Sequence, residues 1–266
     1  MAFDINTSVM VTERKALVKN SLLGLGVKEE VIHDHTLRAL QPVNNNRASY
    51  LFPLTRGTDQ VKTGELLLTQ QDAFALTGIK LIVAKAPATG PGQYMTNGVF
   101  FYQYVDPILF NGGAVGGSKM TEAEAMNSFF NGGFIDIKEA STEVIYKLDA
   151  RKLYYRPENA QNVSATMPET GVLPSTDRIS EGLGVYIPSK EVLFSGDQDM
   201  NMTISIPGSV DLASLEEPPQ GVATFPDHYN LIGAELEGFL IRGGANARCI
   251  KTRLTNGVCM MTDTAA

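Results

Sequence analysis

The sequence predicts a mainly β protein with the architecture of an antiparallel β-sandwich, and two observations carry that prediction. In the segment 200–206 every even position holds Met or Ile, and every odd position holds a polar residue. Successive side chains of a strand point to opposite faces, so this alternation is typical of a strand with one buried face. Turn signals such as Asn97-Gly98 separate the alternating segments. A chain of 266 residues is long enough to bury a sizeable core around such strands.

Two further segments alternate in the same way and assign faces to their strands. In 144–149 one face is expected to hold Val144, Tyr146 and Leu148, and the other Ile145, Lys147 and Asp149. In 234–241 one face is expected to hold Ala234, Leu236, Gly238 and Leu240, and the other Glu235, Glu237, Phe239 and Ile241.

Residues 1–45 are predicted to form a helical arm ahead of the β body. The segment 12–25 begins at a capping residue, Thr12, and ends at glycines. Its apolar stripe consists of Leu17, Val18, Leu22 and Leu25. A second short helix is expected over 27–40, ending before Pro42. Both this arm and the tail at 255–266 are expected to dock on other chains, because chain ends are ordered only when something holds them.

The β body is expected to span 46–254. Its predicted strands are 50–54, 73–85, 99–105, 107–110, 134–138, 143–149, 152–155, 185–187, 191–194, 200–206, 230–242 and 247–254. In 73–85 the apolar residues change from even to odd positions, and a β-bulge at Thr77-Gly78 would permit that change.

One helix and two long irregular stretches interrupt the strands. Thr121 and Glu124 have the spacing of a capping box. The apolar face that follows consists of Ala125, Met126, Phe129 and Phe130. The stretch 156–182 is long for a loop in a compact domain. Its possible interpretations are an ordered excursion, a domain junction with a sub-boundary near 157–182, and a contact arm. The stretch 207–229 is similarly rich in proline.

The charge of the chain argues against non-specific binding of nucleic acid. The net charge is −7, whereas such binding requires a basic surface. Two local basic groups could face a polyanion, but they are interpreted as solvated strand ends. One consists of Arg242, Arg248, Lys251 and Arg253, and the other of Arg151, Lys152 and Arg156. Cys249 and Cys259 are too few for a disulfide framework, although a bond between them stays open. The sequence has no apolar run long enough to predict a transmembrane segment.

No constellation of catalytic residues is apparent, and no cofactor is expected. The strongest metal candidate is a calcium site at Asp197, Asp199 and Asn201, although the pattern of an EF-hand is not completed. His33-Asp34-His35 lacks the further ligands of a zinc or cupin site. The loop from Gly112 to Lys119 departs from the phosphate-loop pattern, because Ser118 precedes the lysine.

The succession of a helical arm, many short strands, one capped helix and proline-rich excursions resembles jelly-roll viral and bacteriophage capsid proteins. The segments that carry the resemblance are Asp72–Leu81, Thr121–Phe130 with Gly133–Lys138, and Tyr229–Arg242. The resemblance implies a jelly roll. The five or six strands counted in 157–266 favour a single roll with elaborations, with a double jelly roll as the alternative.

The resemblance also implies a function. Such a protein assembles into the shell of a virion in the host cytoplasm, and its partners are other copies of itself and other virion proteins. It is not an enzyme, and no small-molecule ligand is expected. The competing hypotheses are a carbohydrate- or receptor-binding β-sandwich and, less favoured, a β-rich enzyme with convergent carboxylates.

Overall fold

Two antiparallel β-sheets form the body of the protein. The computed structural model describes residues 7–43, 47–55, 66–114, 117–155, 184–206, 208, 210–215 and 226–243. The strands are β1 (Ile32–Pro42), β2 (Ser49–Pro53), β3 (Ala73–Gly90), β4 (Gln93–Tyr94), β5 (Phe134–Glu139), β6 (Thr142–Asp149), β7 (Val192–Ser195), β8 (Met200–Ser205) and β9 (His228–Ile241). The α-helices are α1 (Thr7–Gly24) and α2 (Glu122–Asn131).

The strand order defines a first and a second sheet. The first sheet has the order β1-β9-β3-β4, and β7 also pairs with β3. The second sheet has the order β2-β8-β5-β6. All the strand pairs are antiparallel. The inner faces of both sheets and the apolar face of α2 contribute to one large hydrophobic core. The predicted mainly β, two-sheet architecture is therefore confirmed.

The predicted faces of β8 and β9 are confirmed. All four even positions of 200–206 are buried. In β9, Leu236 and Leu240 belong to the core between the sheets, whereas Phe239 and Ile241 belong to a separate cluster on the outer face. Both faces of this part of β9 are covered, which explains why apolar residues occupy odd and even positions alike.

The predicted bulge in β3 is also confirmed. The register with β9 shifts between Leu76 and Gly78, so that Thr77 has no partner across the ladder. Thr77 is buried, and its hydroxyl donates a hydrogen bond to the backbone oxygen of Glu237 at 3.0 Å. The bulge moves Phe74 and Ile79 to the same face, because one extra residue reverses the alternation.

The alternation predicted for 144–149 is wrong. Ile145 and Leu148 are the buried residues, three positions apart, while Tyr146 is exposed. Two residues of β6, Tyr146 and Lys147, lie opposite Asp136, since Ile135 pairs with Leu148 and Ile137 with Ile145. Lys147 adopts a φ of 47°. A bulge therefore interrupts a strand that looked regular in the sequence.

The helix predicted over 27–40 is wrong, whereas the preceding helix is present as α1. Residues 32–42 form β1, which pairs with β9 along its whole length, and only Glu29–Val31 form a short 3-10 helix. Leu37 and Ala39 of β1 face the core between the sheets. Pairing with β9 outweighs the weak local helical preference of this segment. The predicted arm of residues 1–45 thus contains a strand that is hydrogen-bonded into the body.

Several other predicted strands are not formed. Tyr102 and Tyr186 make only isolated bridges, to Val83 and Ile79, and 107–109 is a turn. Residues Ala150–Leu153 form a 3-10 helix in place of the strand predicted at 152–155. The strand predicted at 247–254, the tail at 255–266, the sub-boundary near 157–182 and both cysteines lie outside the described residues.

The helix predicted at 121–131 is confirmed as α2, together with its capping box. The hydroxyl of Thr121 accepts from the N–H of Glu124, and the Glu124 carboxylate accepts from the N–H of Thr121 at 2.8 Å. The buried face consists of Ala125, Met126, Phe129 and Phe130. Phe129 packs edge-to-face on Tyr50 of β2, with ring centroids 5.5 Å apart. This contact ties the helix to the second sheet.

Candidate interaction surface and polar clusters

The outer face of the first sheet is covered at both ends. At one end α1 packs Val18 and Leu22 against Phe239 and Ile241. At the other end Tyr94 joins an apolar cluster of the β3 and β9 outer face, and Phe101 packs against that cluster. This sheet therefore leaves little of its apolar outer surface available for a partner.

Ion pairs lie between these two coverings. Arg38 binds Glu235 at 2.6 Å and stacks over the ring of Phe101, 4.7 Å from its centroid. Lys80 of β3 pairs with Glu237, two residues after Glu235 on the same face of β9. All four charged side chains are half-buried or nearly buried. Each of the two carboxylates, Glu235 and Glu237, has a cation beside it. This arrangement is typical of a structural network of ion pairs and not of a catalytic acid and base.

The outer face of the second sheet has a different character. We call it the open face. It consists of Ser49, Leu51, Pro53, Phe134, Asp136, Lys138, Glu143, Tyr146, Lys147, Asp149, Asn201, Thr203 and Ser205. Leu51, Phe134 and Tyr146 are 54%, 43% and 63% exposed. The open face therefore presents large apolar side chains among hydroxyl, amide and charged groups.

The cross-strand register orders the residues of the open face. Ser49, Ser205, Phe134 and Asp149 form one row across the four strands. Lys138 and Glu143 form an ion pair at 2.9 Å. The hydrogen bond and charge of Glu143 raise the pKa of Lys138 above its ordinary value. The acidic and basic groups of this face thus tend to pair with one another.

A groove of about 330 Å³ runs beside β6 at the edge of the open face. It is lined by residues 144–149, Lys152 and Tyr186. The backbone N–H of Lys147 donates to the Asp136 carboxylate at 2.7 Å, so this N–H of the edge strand β6 already has a hydrogen-bond partner. A bulge and charged side chains at an edge strand oppose the addition of another strand. The groove is therefore better suited to side chains or a small polar molecule than to a β-strand.

The candidate calcium residues lie at the turn between β7 and β8. The hydroxyl of Ser195 donates to the carboxylate of Asp197. The backbone oxygen of Asp199 accepts from the N–H of Ala140 at 2.7 Å. Asn201 lies on β8 opposite Lys138. Among the described residues, no group of three or more His, Cys, Asp or Glu side chains is arranged to hold a metal ion. The calcium site stays a prediction.

The two histidines of β1 are not joined by further ligands in the described part of the chain. His33 and His35 point to one face of the strand, and Asp34 points to the other, where Lys15 of α1 binds it at 3.3 Å. Burial and then the charge of Arg242 lower the pKa of His35 below its ordinary value of 6.5. The shift favours the neutral form of the His35 imidazole, which is half-buried.

The first amide of the glycine loop binds the protein itself. The N–H of Gly112 donates to the carboxylate of Glu122 at 2.8 Å. A Cβ at this position would lie 2.8 Å from the same carboxylate, so the glycine permits a close approach. The amide that a phosphate loop would direct at its ligand is therefore taken by a protein carboxylate.

Of the basic residues singled out in the sequence, only Arg151, Lys152 and Arg242 lie among the described residues. Arg151 binds Asp149 at 2.8 Å. The hydrogen bond and charge of Asp149 raise the pKa of Arg151, and Arg151 lowers that of Asp149. The charge of Arg151 is balanced by its neighbour Asp149, as expected for a solvated strand end.

One buried polar cluster escaped sequence reasoning. Lys85 of β3 binds Glu122 of α2, with Nζ at 3.0 and 3.2 Å from the two carboxylate oxygens. Asn230 of β9 lies directly opposite Lys85, and its Nδ2 donates to the backbone oxygen of Leu215 at 3.0 Å. Lys85, Glu122 and Asn230 are distant in sequence and belong to no motif. Only the odd polar residue at a core position, Lys85 after Ile79, Leu81 and Val83, gives a signal.

Neither α1 nor α2 is long and apolar enough to cross a membrane. No family model, no curated protein and no solved structure matches this chain.

Proposed function

We propose that this chain is a structural protein with a jelly-roll fold that assembles with copies of itself into a virus or bacteriophage shell. The observation that carries the proposal is the nesting of the strand pairs. β1 pairs with β9, β2 with β8, β3 with β7, and β5 with β6. Each later strand thus returns to an earlier one in reverse order, as in one long hairpin.

Two further pairs fold that long hairpin into two sheets. β9 also pairs with β3, and β8 also pairs with β5. The resulting orders, β1-β9-β3-β7 and β2-β8-β5-β6, support the eight-stranded jelly roll that viral capsid proteins use. β4 is an addition to this pattern. Because the eight strands run from residue 32 to residue 241, we propose a single roll with elaborations.

The composition of the open face supports contact between copies. Asp136, Glu143 and Asp149 are balanced there by Lys138, Lys147 and the adjacent Arg151. The whole chain carries a net charge of −7, so a neutral face reduces the repulsion between copies. Leu51, Phe134 and Tyr146 add exposed apolar area, which is typical of interaction sites.

The helix α1 offers a second surface of this type. Its inner side chains are buried on the first sheet, whereas Leu17 and Leu23 are exposed on the other side. Apolar residues on both sides of a surface helix indicate that the outer side is covered in an assembly. We propose that the open face and the outer side of α1 contact neighbouring copies in the shell.

The proposal is tested by the mass and shape of the purified full-length protein. Light scattering over a range of concentrations, followed by negative-stain electron microscopy, is expected to reveal closed shells, sheets or symmetric rings. The measurement is repeated with other virion proteins added, because assembly can require a second component. A protein that stays monomeric at every concentration, with and without those partners, would overturn the proposal.

A carbohydrate- or receptor-binding module is the second candidate, and one observation favours it. Phe134 and Tyr146 present exposed aromatic rings next to the groove beside β6, among hydroxyl and carboxylate groups. Aromatic rings with nearby polar groups bind the apolar and polar faces of sugars. Titration calorimetry with a panel of oligosaccharides distinguishes the two functions. A carbohydrate-binding module gives a heat of binding with at least one sugar, whereas a shell protein without receptor activity gives none.

A further inference from the structure

We propose that Lys85 and Asn230 become joined by an intramolecular amide bond, with Glu122 as the group that transfers the protons. The inference rests on the ion pair of Lys85 with Glu122 and on Asn230, the cross-strand partner of Lys85. It is independent of the shell proposal, because it concerns chemistry within one chain. It assigns a covalent modification site to a cluster that otherwise forms a buried ion pair next to an incompletely bonded amide.

The strand register places the amine and the amide side by side. Lys85 and Asn230 are direct partners across the β3–β9 ladder. Val83 exchanges its backbone hydrogen bonds with Tyr102, on the side of β3 away from β9. Lys85, two residues further, therefore forms a non-hydrogen-bonded pair with Asn230. In such pairs the Cα atoms are about 4.5 Å apart and the side chains approach most closely.

Burial makes this neighbourhood suitable for the reaction. The side chains of Lys85 and Glu122 are 13% and 1% exposed, and Asn230 is 2% exposed. Low exposure keeps the amine and the carboxylate away from bulk water. It also limits hydrolysis, because little water reaches the carboxamide.

One hydrogen bond orients the carboxamide of Asn230, and its oxygen has no hydrogen-bond partner among the described residues. Its Nδ2 donates to the backbone oxygen of Leu215 at 3.0 Å, which fixes which side of the amide carries the nitrogen. Its Oδ1 is buried and has no hydrogen-bond partner among the described residues. A buried polar atom without a partner is costly and calls for an explanation. Here it is the carbonyl oxygen of the group under attack.

The Glu122 carboxylate is held in place from two sides. Lys85 Nζ lies 3.0 Å from Oε1, and the N–H of Gly112 donates to Oε2 at 2.8 Å. The carboxylate sits at the first turn of α2, directly after the cap residue Thr121. It can therefore exchange protons with the amine without a change of position.

The reaction balances without any other reagent. One proton passes from the Lys85 ammonium to Glu122, and the neutral Nζ attacks Cγ of Asn230 to form the new C–N bond. Glu122 gives its proton to Nδ2, the Cγ–Nδ2 bond breaks as the carbonyl re-forms, and ammonia leaves. Glu122 then takes one of the two protons left on Nζ and passes it to the ammonia, and the other proton remains as the N–H of the new amide. An ammonium side chain and a carboxamide become a secondary amide and an ammonium ion, with no oxidation or reduction.

The bond has a structural consequence. It joins two neighbouring strands of the first sheet and encloses more than half of the chain. A cross-link that closes a long loop restricts the unfolded chain and thereby stabilises the native state.

Intact-mass spectrometry of the purified, denatured full-length protein is the decisive measurement. We expect a mass below that of the sequence by one ammonia, and a branched peptide that joins Lys85 to Asn230 after digestion. Full sequence mass, with Lys85 and Asn230 in separate linear peptides, would overturn the proposal. This result does not depend on any variant folding correctly.

Variants separate the proposed reaction from the loss of ammonia at an Asn-Gly sequence such as Asn97-Gly98. Glu122→Gln removes the proton carrier at constant size, and Lys85→Arg keeps the positive charge but removes the amine. Both are expected to show the full sequence mass. The matched control Glu143→Gln alters an exposed ion pair with Lys138 and is expected to keep the loss. A loss that persists in both Glu122→Gln and Lys85→Arg would contradict the inference.

Discussion

At the scale of the residue, Ala140 and Lys147 adopt backbone conformations that L-amino acids rarely populate. Their φ angles are 51° and 47°. Ala140 connects β5 to β6, and Lys147 lies in the bulge of β6. Left-handed conformations cost a residue with a Cβ about 1–2 kcal/mol relative to glycine. The second sheet therefore tolerates strain at both positions where its edge hairpin bends.

Substitution of Ala140 by glycine is expected to stabilise the protein. Relief of the left-handed strain outweighs the extra entropy of glycine in the unfolded chain, so Ala140→Gly is expected to raise the free energy of unfolding by about 0.5–1 kcal/mol. Urea denaturation measures the change. Ala16→Gly on the exposed side of α1 is the control and is expected to lower the same quantity by about 1 kcal/mol. A destabilised Ala140→Gly variant would mean that the strain is not present in solution.

At the scale of the element, the capping box makes the stability of α2 dependent on pH. The backbone N–H and the hydroxyl of Thr121 bind the Glu124 carboxylate and lower its pKa below the ordinary value of 4.5. The folded state thus prefers the ionised form more strongly than the unfolded state does. The resulting stability is complete above pH 4.5 and is lost as the pH falls through the lowered pKa.

Two variants and one control variant test the cap. Thr121→Ala is expected to reduce the free energy of unfolding by about 1 kcal/mol at pH 7, because a cap hydroxyl is lost. Glu124→Gln is expected to be less stable than the wild type at pH 7, with the difference shrinking as the pH falls below 4.5. Thr121→Ser retains the hydroxyl and is expected to behave as the wild type. A difference between Glu124→Gln and wild type that does not change with pH would contradict the assignment.

The helix α1 provides a second prediction at the element scale. Leu22 is buried against the outer face of the first sheet, whereas Leu17 is exposed on the opposite side of the helix. Leu22→Ala is expected to reduce stability by about 2–3 kcal/mol and to increase hydrogen exchange along α1. Leu17→Ala is the matched control, with an expected change below about 0.5 kcal/mol. Equal effects of both variants would show that α1 does not dock as described.

At the scale of the whole molecule, side chains satisfy backbone groups at the sheet edges. The Gln41 amide donates to the backbone oxygen of Leu51 on β2. The Glu139 carboxylate accepts from the N–H of Ser195 on β7 at 3.2 Å. The bulge at Lys147 interrupts the edge of β6. Edge strands whose backbone groups are bonded by side chains or interrupted by a bulge resist uncontrolled pairing with other chains. We therefore expect contacts between copies through the sheet faces and the loops.

The open face yields a prediction about assembly. The double variant Phe134→Ser with Tyr146→Ser is expected to shift the protein from assemblies towards monomers or small oligomers, because contact area between copies is lost. Its thermal unfolding is expected to change little, since both side chains are largely exposed. Light scattering and calorimetry measure the two effects. Phe100→Ser changes an exposed aromatic residue outside the open face and is expected to leave assembly unchanged. Unchanged assembly of the double variant would exclude the open face as a contact.

Truncation experiments have to respect the position of β1. Deletion of residues 1–40 as a separable arm would remove most of a strand that pairs with β9 from Ile32 to Pro42. It would also uncover the apolar cluster of Ala73, Ala75, Phe239 and Ile241 that α1 protects. Point variants on α1 and the open face therefore test assembly more cleanly than truncation does.

The sequence by itself determined the features that depend on near neighbours along the chain. Alternation in 200–206 predicts the buried face of β8, the change of phase near Thr77 predicts the bulge, and the spacing of Thr121 and Glu124 predicts the cap of α2. Each of these is local, because side-chain direction repeats every two residues in a strand and the cap joins residues within one helical turn.

Only the tertiary structure decided the features that depend on distant partners. β1 is a strand because β9 offers a complete ladder, and β6 loses its alternation because a bulge faces Asp136. Lys85 lies opposite Asn230 because of the β3–β9 register, and it binds Glu122 because the N-terminus of α2 packs there. Such contacts are set by the packing of elements far apart in the chain, and that packing outweighs local preference wherever the two disagree.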